Sequence, residues 1–278
     1  GLIGEPFPTD DIVEGIKTNV SKLSSKSNAG TFAANAILTT DTFAKEGFLE
    51  FELGDTLVNM AGIAKGSGMI HPNMGTMLAF IFTDVAIEAK LLRSTVKEIV
   101  DDTFNMITID GDTSTNDMVA VMANGLAENK IIESKKDPGY EIFRAQLEDM
   151  MAHLAKLIVS DGEGASKFIR YEVVNAKNKH IAKSIVKSIA DSTLVKTAMF
   201  GRDPNWGRII CAAGNAGVEF DYTTTDLYLG SEVQMLKVLE KGVPLEDDKK
   251  FMRKLLRESH LGVKMDLGIG KAKSIALG

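Results

Sequence analysis

The sequence predicts a layered α/β or α+β architecture. Of its 278 residues, 44% are hydrophobic and 25% are charged, a composition typical of a globular protein that buries a substantial core. Apolar residues recur with the helical period in some segments and with the strand period in others. The predicted helices and strands do not alternate regularly, as they would in a parallel doubly wound fold. No long linker, tandem repeat or low-complexity tract separates them, so we expect the elements to pack as mixed sheets covered by helices.

The predicted elements follow from local patterns. Asp10 and Asp11 precede apolar residues at helical spacing, which predicts a capped helix over 10–23. Two β-rich runs at 48–53 and 56–64, joined by a Gly-Asp turn, predict a hairpin. Continuous or alternating apolar runs predict strands at 76–83, 107–110, 168–175 and 263–267 and a strand-rich stretch at 218–239. The 3.6-residue apolar period predicts helices at 88–104, 116–128, 140–159, 181–190 and 245–258.

Charge and residue counts exclude several classes of function. The chain has 38 acidic and 32 basic side chains, a net charge of −6, and no basic patch that would favour a nucleic-acid partner. Its single cysteine, Cys211, excludes an internal disulfide, and its apolar neighbours predict a buried position. The four histidines lack metal-ligand spacing. No stretch reaches the ~20 apolar residues that cross a bilayer, so we expect no membrane partner and a cytoplasmic location.

The glycine-rich segments lack the features of cofactor loops. Residues 66–68 (GSG) miss the third glycine of a dinucleotide-binding loop, and residues 268–271 (GIGK) are followed by Ala272 where a phosphate-binding loop has Ser or Thr. Residues 110–117 lack the terminal glutamate of a calcium loop. We therefore predict neither a metal nor a tightly bound cofactor.

Thr76 lies at a predicted junction between a loop and a strand, directly after Gly75. A threonine hydroxyl is a poor nucleophile without a base, and no serine-histidine-aspartate signature surrounds it. Cleavage of the Gly75–Thr76 bond would create an α-amine, which ordinarily titrates at about 7.7 to 8.0 and can accept the hydroxyl proton near neutral pH. From these residues alone, Thr76 is either an ordinary first strand residue or such a nucleophile.

Seven short motifs, spread along the chain, decide between these two alternatives. They are residues 1–6 (GLIGEP), 39–42 (TTDT), 61–70 (AGIAKGSGMI), 72–78 (PNMGTML), 110–117 (DGDTSTND), 161–165 (DGEGA) and 201–208 (GRDPNWGR). With these motifs the chain resembles, essentially from end to end, the bifunctional arginine-biosynthesis ornithine acetyltransferases, also called glutamate N-acetyltransferases.

The resemblance implies a layered α/β sandwich shared with self-cleaving aminopeptidases. Members cleave themselves before a threonine, and Thr76 matches that residue, although Gly75 stands where alanine is more usual. Residues 1–75 would then be the end of the α chain and residues 76–278 most of the β chain. The two parts would form one intertwined catalytic unit, with the family's front and tail segments absent.

The resemblance also implies the reaction and its residues. Thr76 would carry an acetyl group from N-acetylornithine to glutamate in a ping-pong cycle, releasing ornithine and giving N-acetylglutamate. Gly1 matches the glycine of the oxyanion hole. Thr39 and Lys65 match positions that bind the substrate carboxylate, and Glu163 matches a carboxylate suited to a substrate ammonium.

Further implications concern partners and location. Some members also accept acetyl-CoA as donor, and the family assembles from two α and two β chains. The expected location is the cytoplasm, or the mitochondrial matrix in a eukaryote. Two rivals stay open: an N-terminal-nucleophile amidase or aminopeptidase, in which water accepts the acyl group, and an inactive module that only binds amino acids.

Overall fold

Two mixed sheets, each covered by helices, form the part of the chain that the structure describes. This computed structural model describes residues 4–26, 28–71, 77–246 and 248–278. The helices are α1 Thr9–Val20, α2 Ala29–Ala36, α3 Ala89–Val100, α4 Tyr140–Ser160, α5 Lys179–Asp191, α6 Thr193–Phe200, α7 Trp206–Gly214 and α8 Lys249–Leu255. The strands are β1 Lys45–Leu53, β2 Thr56–Lys65, β3 Leu78–Thr83, β4 Met118–Ala123, β5 Phe168–Ala176, β6 Asp226–Ser231, β7 Met235–Glu240, β8 Val243–Pro244, β9 His260–Asp266 and β10 Ala272–Leu277.

The first sheet has the strand order β1-β2-β3-β4. Strands β1, β2 and β3 are antiparallel neighbours, whereas β4 runs parallel to β3. Lys65 at the end of β2 pairs with Leu78 at the start of β3. Strands on either side of the predicted cleavage bond therefore lie side by side in one sheet.

Helix α4 covers this sheet and approaches it closely at two glycines. A Cβ atom on Gly47 would lie 2.7 Å from the sulfur of Met150, and one on Gly62 would lie 2.9 Å from Cδ1 of Leu154. A larger residue at either position would force the side chain of Met150 or Leu154 to move out of this contact. The helix runs along β1 and β2 from their hairpin, where Gly139 lies near Leu53, towards the other end of these two strands. Its carboxyl end is thereby fixed near the end of β2.

The second sheet has the order β10-β5-β9-β6-β7-β8 and its own hydrophobic core. Helix α5 packs against β5 and β10. The sheets meet where Ile107 bridges Leu277, and the backbone N–H of Thr108 donates to the carbonyl of Leu277 at 2.9 Å. No helix among the described residues is long and apolar enough to cross a membrane.

The predicted fold class is confirmed, as are the hairpin and most long elements. Residues 140–159 form α4, and residues 168–175 form most of β5. The prediction of a strand at 107–110 is wrong, because that segment makes only an isolated bridge. Sequence patterns missed five of the described helices and strands: α2, α6, α7, β8 and β10.

The prediction of a helix at 116–128 is also wrong. Its centre is strand β4, which pairs in parallel with β3. A short apolar run is compatible with both the helical and the strand period. Here the β-branched residues Val119 and Val121 pack against the core from a strand. The expectation that Cys211 is buried fails for a related reason. Helix α7 turns Ile209, Ala212 and Ala213 inward, which leaves Cys211 exposed.

Candidate active site

Three chain segments converge at the end of β2. They are the segment 39–45 leading into β1, the loop 66–71 after β2, and residues 161–163 after α4. The N–H of Gly66 donates to Oδ1 of Asp41 at 2.7 Å, and the hydroxyl of Ser67 donates to the carbonyl of Asp161 at 2.7 Å. Of the predicted substrate-binding residues, Thr39 lies in the first segment, Glu163 lies in the third, and Lys65 is the last residue of β2, directly before the loop.

A buried lysine ties the first and third segments together. The ammonium of Lys45 lies 2.7 Å from Oδ1 of Asp41 and 2.6 Å from Oδ2 of Asp161, and its side chain has no exposed surface. Thr42 adds its backbone N–H and its hydroxyl as donors to Asp161. A lysine buried this deeply requires ionised partners, and here it has two.

The carboxylates of this network stay ionised. Burial opposes ionisation of Asp41, but hydrogen bonds from Lys45 and from the N–H groups of Gly66 and Thr39 outweigh it and lower the pKa of Asp41. Burial likewise opposes ionisation of Asp161, and hydrogen bonds from Lys45 and Thr42 lower its pKa. The network therefore acts as a fixed, charged frame under the three segments.

Lys65 directs its ammonium towards the first segment. Its Nζ donates to the hydroxyl oxygen of Thr39 at 3.0 Å, and the residue is only 6% exposed. Lys45 forms ion pairs with two carboxylates, whereas Lys65 forms none with any of the described residues. An ammonium held beside a hydroxyl can bind a carboxylate brought in by a ligand.

Glu163 meets the loop from the opposite side. Its backbone N–H donates to the carbonyl of Ser67 at 2.8 Å, and its side chain is exposed. Its carboxylate lies against Gly68, where an added Cβ would be 2.5 Å from Oε2. A cation and an anion thus border the same loop, an arrangement that can bind the carboxylate and the ammonium of an amino acid.

We expect Gly68→Ala to displace the carboxylate of Glu163 and to raise KM for an amino-acid substrate about tenfold, the value of one charge-assisted hydrogen bond. The backbone of Gly68 is not in the left-handed region, and the clash involves only the end of a flexible side chain. The thermal midpoint should therefore change little. Glu163→Gln should raise KM in the same direction, whereas Gly214→Ala, which adds a methyl group in open space, should not. An unchanged KM in Gly68→Ala would contradict this role of Glu163.

The predicted nucleophile Thr76, its cleavage partner Gly75 and the predicted oxyanion residue Gly1 lie outside the described residues. The structure resumes at Met77, whose backbone N–H donates to Oδ1 of Asp117 at 2.8 Å. Burial raises the pKa of Asp117 to about 6, although the Met77 N–H and the charge of Lys65 oppose the shift. The roles of the three residues therefore stay predictions.

Sequence patterns missed the buried frame of Asp41, Lys45 and Asp161. One signal was present. Lys45, Phe51 and Leu53 are separated by even numbers of residues, so they lie on the same face of β1, and that face is buried at all three. A lysine at such a position needs an anionic partner, but the pattern does not identify which. Within the described ranges no cluster of three histidine, cysteine, aspartate or glutamate side chains could hold a metal ion.

Known proteins resemble this chain over its whole length. The family model described as "ArgJ family" matches residues 1–278. "Arginine biosynthesis bifunctional protein ArgJ" of Caldanaerobacter subterraneus subsp. tengcongensis is 43% identical over 278 residues, which are 100% of this chain and 68% of the relative. The protein of the same name from Lactococcus lactis subsp. lactis is 46% identical over 279 residues, with the same coverage of each chain.

A solved structure supports the same relationship. The crystal structure of the arginine biosynthesis bifunctional protein ArgJ from Bacillus halodurans superposes with a TM-score of 0.68 at 40% identity, covering 72% of this chain and 92% of that chain. The match of the family model to every residue, together with these identities, confirms the resemblance of the motifs. The chain belongs to the ArgJ family.

Proposed function

We propose that this protein is an acetyltransferase of arginine biosynthesis that moves acetyl from N-acetylornithine to glutamate. Membership of the ArgJ family supports the assignment to arginine biosynthesis. The observation that carries the substrate class is the placement of Lys65 with Thr39 on one side of the loop 66–71 and of Glu163 on the other. Both donor and acceptor are amino-acid derivatives with a carboxylate and an ammonium.

The binding roles follow from charge. Lys65 and the Thr39 hydroxyl would hold the α-carboxylate of either substrate, because an ammonium and a hydroxyl both donate to carboxylate oxygens. Glu163 would accept from the free side-chain ammonium of N-acetylornithine. Because Asp41 binds the N–H groups of Thr39 and Gly66, the buried frame would keep these groups in place while substrates exchange.

The first proposed reaction creates the nucleophile. The Thr76 hydroxyl oxygen attacks the carbonyl carbon of Gly75, the carbon–nitrogen bond breaks, and the nitrogen becomes the α-amine of Thr76. Water then hydrolyses the resulting ester and leaves a carboxylate on Gly75. One residue thereby supplies the attacking oxygen and, as its own amine, the proton acceptor.

The second reaction transfers acetyl. The Thr76 oxygen attacks the acetyl carbonyl of N-acetylornithine, its proton passes to the α-amine and then to the departing nitrogen, and ornithine leaves. The amine of glutamate next attacks the acetyl ester, the carbon–oxygen bond breaks, and the proton returns to the threonine oxygen. Donors such as the Gly1 N–H would stabilise each oxyanion, an effect worth about 2.7 to 4 kcal/mol for one donor in a protease.

Other parts of the proposal rest on the family resemblance alone. The division into residues 1–75 and 76–278, the assembly of two α and two β chains, the cytoplasmic location and the use of acetyl-CoA as a second donor stay predictions.

The experiment that tests the proposal follows acetyl-labelled N-acetylornithine with and without glutamate. We expect ornithine release in substrate amounts only with glutamate, with the label recovered in N-acetylglutamate. Without glutamate, labelled ornithine should still exchange into N-acetylornithine, because a ping-pong cycle completes its first half alone. Equal ornithine release without glutamate, with the label in free acetate, would instead identify a hydrolase. Binding of ornithine with neither reaction would identify an amino-acid-binding module.

A further inference from the structure

The motif at residues 201–208 borders a cleft that the proposed reaction does not use. The cleft has a volume of about 350 Å³ and is lined by residues 203–207, which lead into α7, and by Lys249 and Arg253 of α8. None of these residues belongs to the three segments of the candidate active site. Small-molecule sites range from about 300 to 1,000 Å³, so this volume fits a small ligand.

Two cations line one side of the cleft. Lys249 and Arg253 are four residues apart in α8, so their side chains leave the same face of the helix. Both residues are exposed, and the side chain of neither forms an ion pair or a hydrogen bond within the described part of the chain. Met252 between them is buried in the second core and fixes the helix. Two positive charges without a protein partner can bind the carboxylates of a ligand.

The cleft also contains one carboxylate, that of Asp203. The side-chain amide of Asn205 donates to its Oδ2 at 3.1 Å, whereas Oδ1 has no donor among the described residues. The backbone is held as well, because the N–H of Asp203 donates to the carbonyl of Ala198 at 2.8 Å and the N–H of Asn205 donates to the carbonyl of Asp203 at 2.7 Å. Asp203 therefore offers a fixed carboxylate with one oxygen free to accept from an ammonium.

Trp206 supplies an apolar surface. It is partly buried and packs against the second core, and Arg208 ties α7 to α6 by donating to the carbonyl of Leu194 at 2.9 Å. Helix α7 begins here without a side-chain cap, and the N–H of Gly207 has no partner among the described residues. Free N–H groups at the start of a helix add to the attraction for negative charge.

We propose that this cleft is a second ligand site, which binds a dicarboxylic α-amino acid such as glutamate. The two carboxylates of the ligand would bind Lys249 and Arg253, and its ammonium would bind Asp203. These three side chains carry a charge of +1, and the ligand carries −1. The indole of Trp206 would cover the methylene chain between the charged groups. A phosphate group fits less well, because it brings no cation for Asp203.

Fluorescence tests this proposal directly, because Trp206 is the single tryptophan of the chain. We expect glutamate to change the tryptophan emission of the wild type in a saturable manner. Sodium chloride at the same ionic strength should not. A wild-type emission that does not respond to glutamate would overturn the proposal.

Substitutions on α8 assign the response to the cations. Lys249→Met and Arg253→Met should each raise the half-saturating concentration of glutamate about tenfold, the value of one charge-assisted hydrogen bond. Both side chains are exposed, so the fold should tolerate the changes. Lys250→Met is the matched control, because Lys250 is an exposed cation of the same helix that does not line the cleft. An equal loss in Lys250→Met would indicate a general charge effect and would overturn the assignment.

Two further ligands test the role of Asp203. Glutarate has both carboxylates of glutamate but no ammonium, so its half-saturating concentration should be about tenfold higher. Asp203→Asn should remove this difference, since an amide can still accept from Asn205 but has no charge for the ammonium. Equal binding of glutarate and glutamate to the wild type, or tighter binding of inorganic phosphate than of glutamate, would overturn the amino-acid assignment.

Lys65→Met separates the cleft from the candidate active site. This substitution should raise KM for substrates but leave the half-saturating concentration in the fluorescence titration unchanged. A response that is lost in Lys65→Met would come from the candidate active site and would overturn the second site. The titration requires no acetyl transfer, so a failure of the proposed reaction would leave its expected result as it is.

Discussion

Replacing Thr76 by alanine is expected to abolish both chain cleavage and acetyl transfer. The substitution removes the attacking oxygen of both reactions, and without cleavage the α-amine that serves as base is never formed. Loss of a covalent nucleophile costs on the order of a millionfold in kcat in a serine protease, so activity should fall to background. Intact mass should show one chain in the variant and two fragments, 1–75 and 76–278, in the wild type.

Cys211→Ser is the control for this prediction. Cys211 is the single cysteine of the chain and lies exposed on α7, so it is the obvious competing nucleophile. Its substitution should leave cleavage and ornithine release at wild-type levels. Transfer that survives in Thr76→Ala, or an acetyl adduct trapped on any other side chain, would place the chemistry elsewhere.

Lys45→Met is expected to cause the largest loss of stability among substitutions away from the nucleophile. It leaves Asp41 and Asp161 as two buried carboxylates without their cation. Removing one partner of a buried ion pair costs about 3 to 5 kcal/mol. For a domain of this size that corresponds to a drop of roughly 10 °C in the thermal midpoint, measured by calorimetry or circular dichroism.

The pH dependence of this loss has a defined sign. The pKa values of Asp41 and Asp161 are lowered in the folded protein, so their contribution to stability is present above their unfolded pKa of about 4 and is lost as pH falls below it. The difference between wild type and Lys45→Met should therefore be large at pH 7 and shrink below pH 4. Lys135→Met, which breaks an exposed pair with Glu98, is the control and should barely move the midpoint. An equally small effect in Lys45→Met would contradict the role of the buried frame.

The sequence by itself determined the fold class, the long elements and the family. Helix α4 and strand β5 have apolar periods long enough to predict one structure, and the hairpin has a turn at its centre. The motifs that include Thr39, Lys65 and Glu163 were sufficient to name substrate-binding candidates, because a family resemblance depends on residue order and not on contacts.

Tertiary structure alone decided the contacts between distant residues. Segment 116–128 has an ambiguous apolar pattern, and only pairing with β3 makes its centre a strand. The burial of Lys45 between Asp41 and Asp161, and the contact of Asp117 with Met77, join residues far apart in sequence. Such contacts arise because a charged or polar group that folding removes from water is stable only when another group binds it. Local periodicity predicts which residues are buried, but it does not identify the distant residue that each buried group binds.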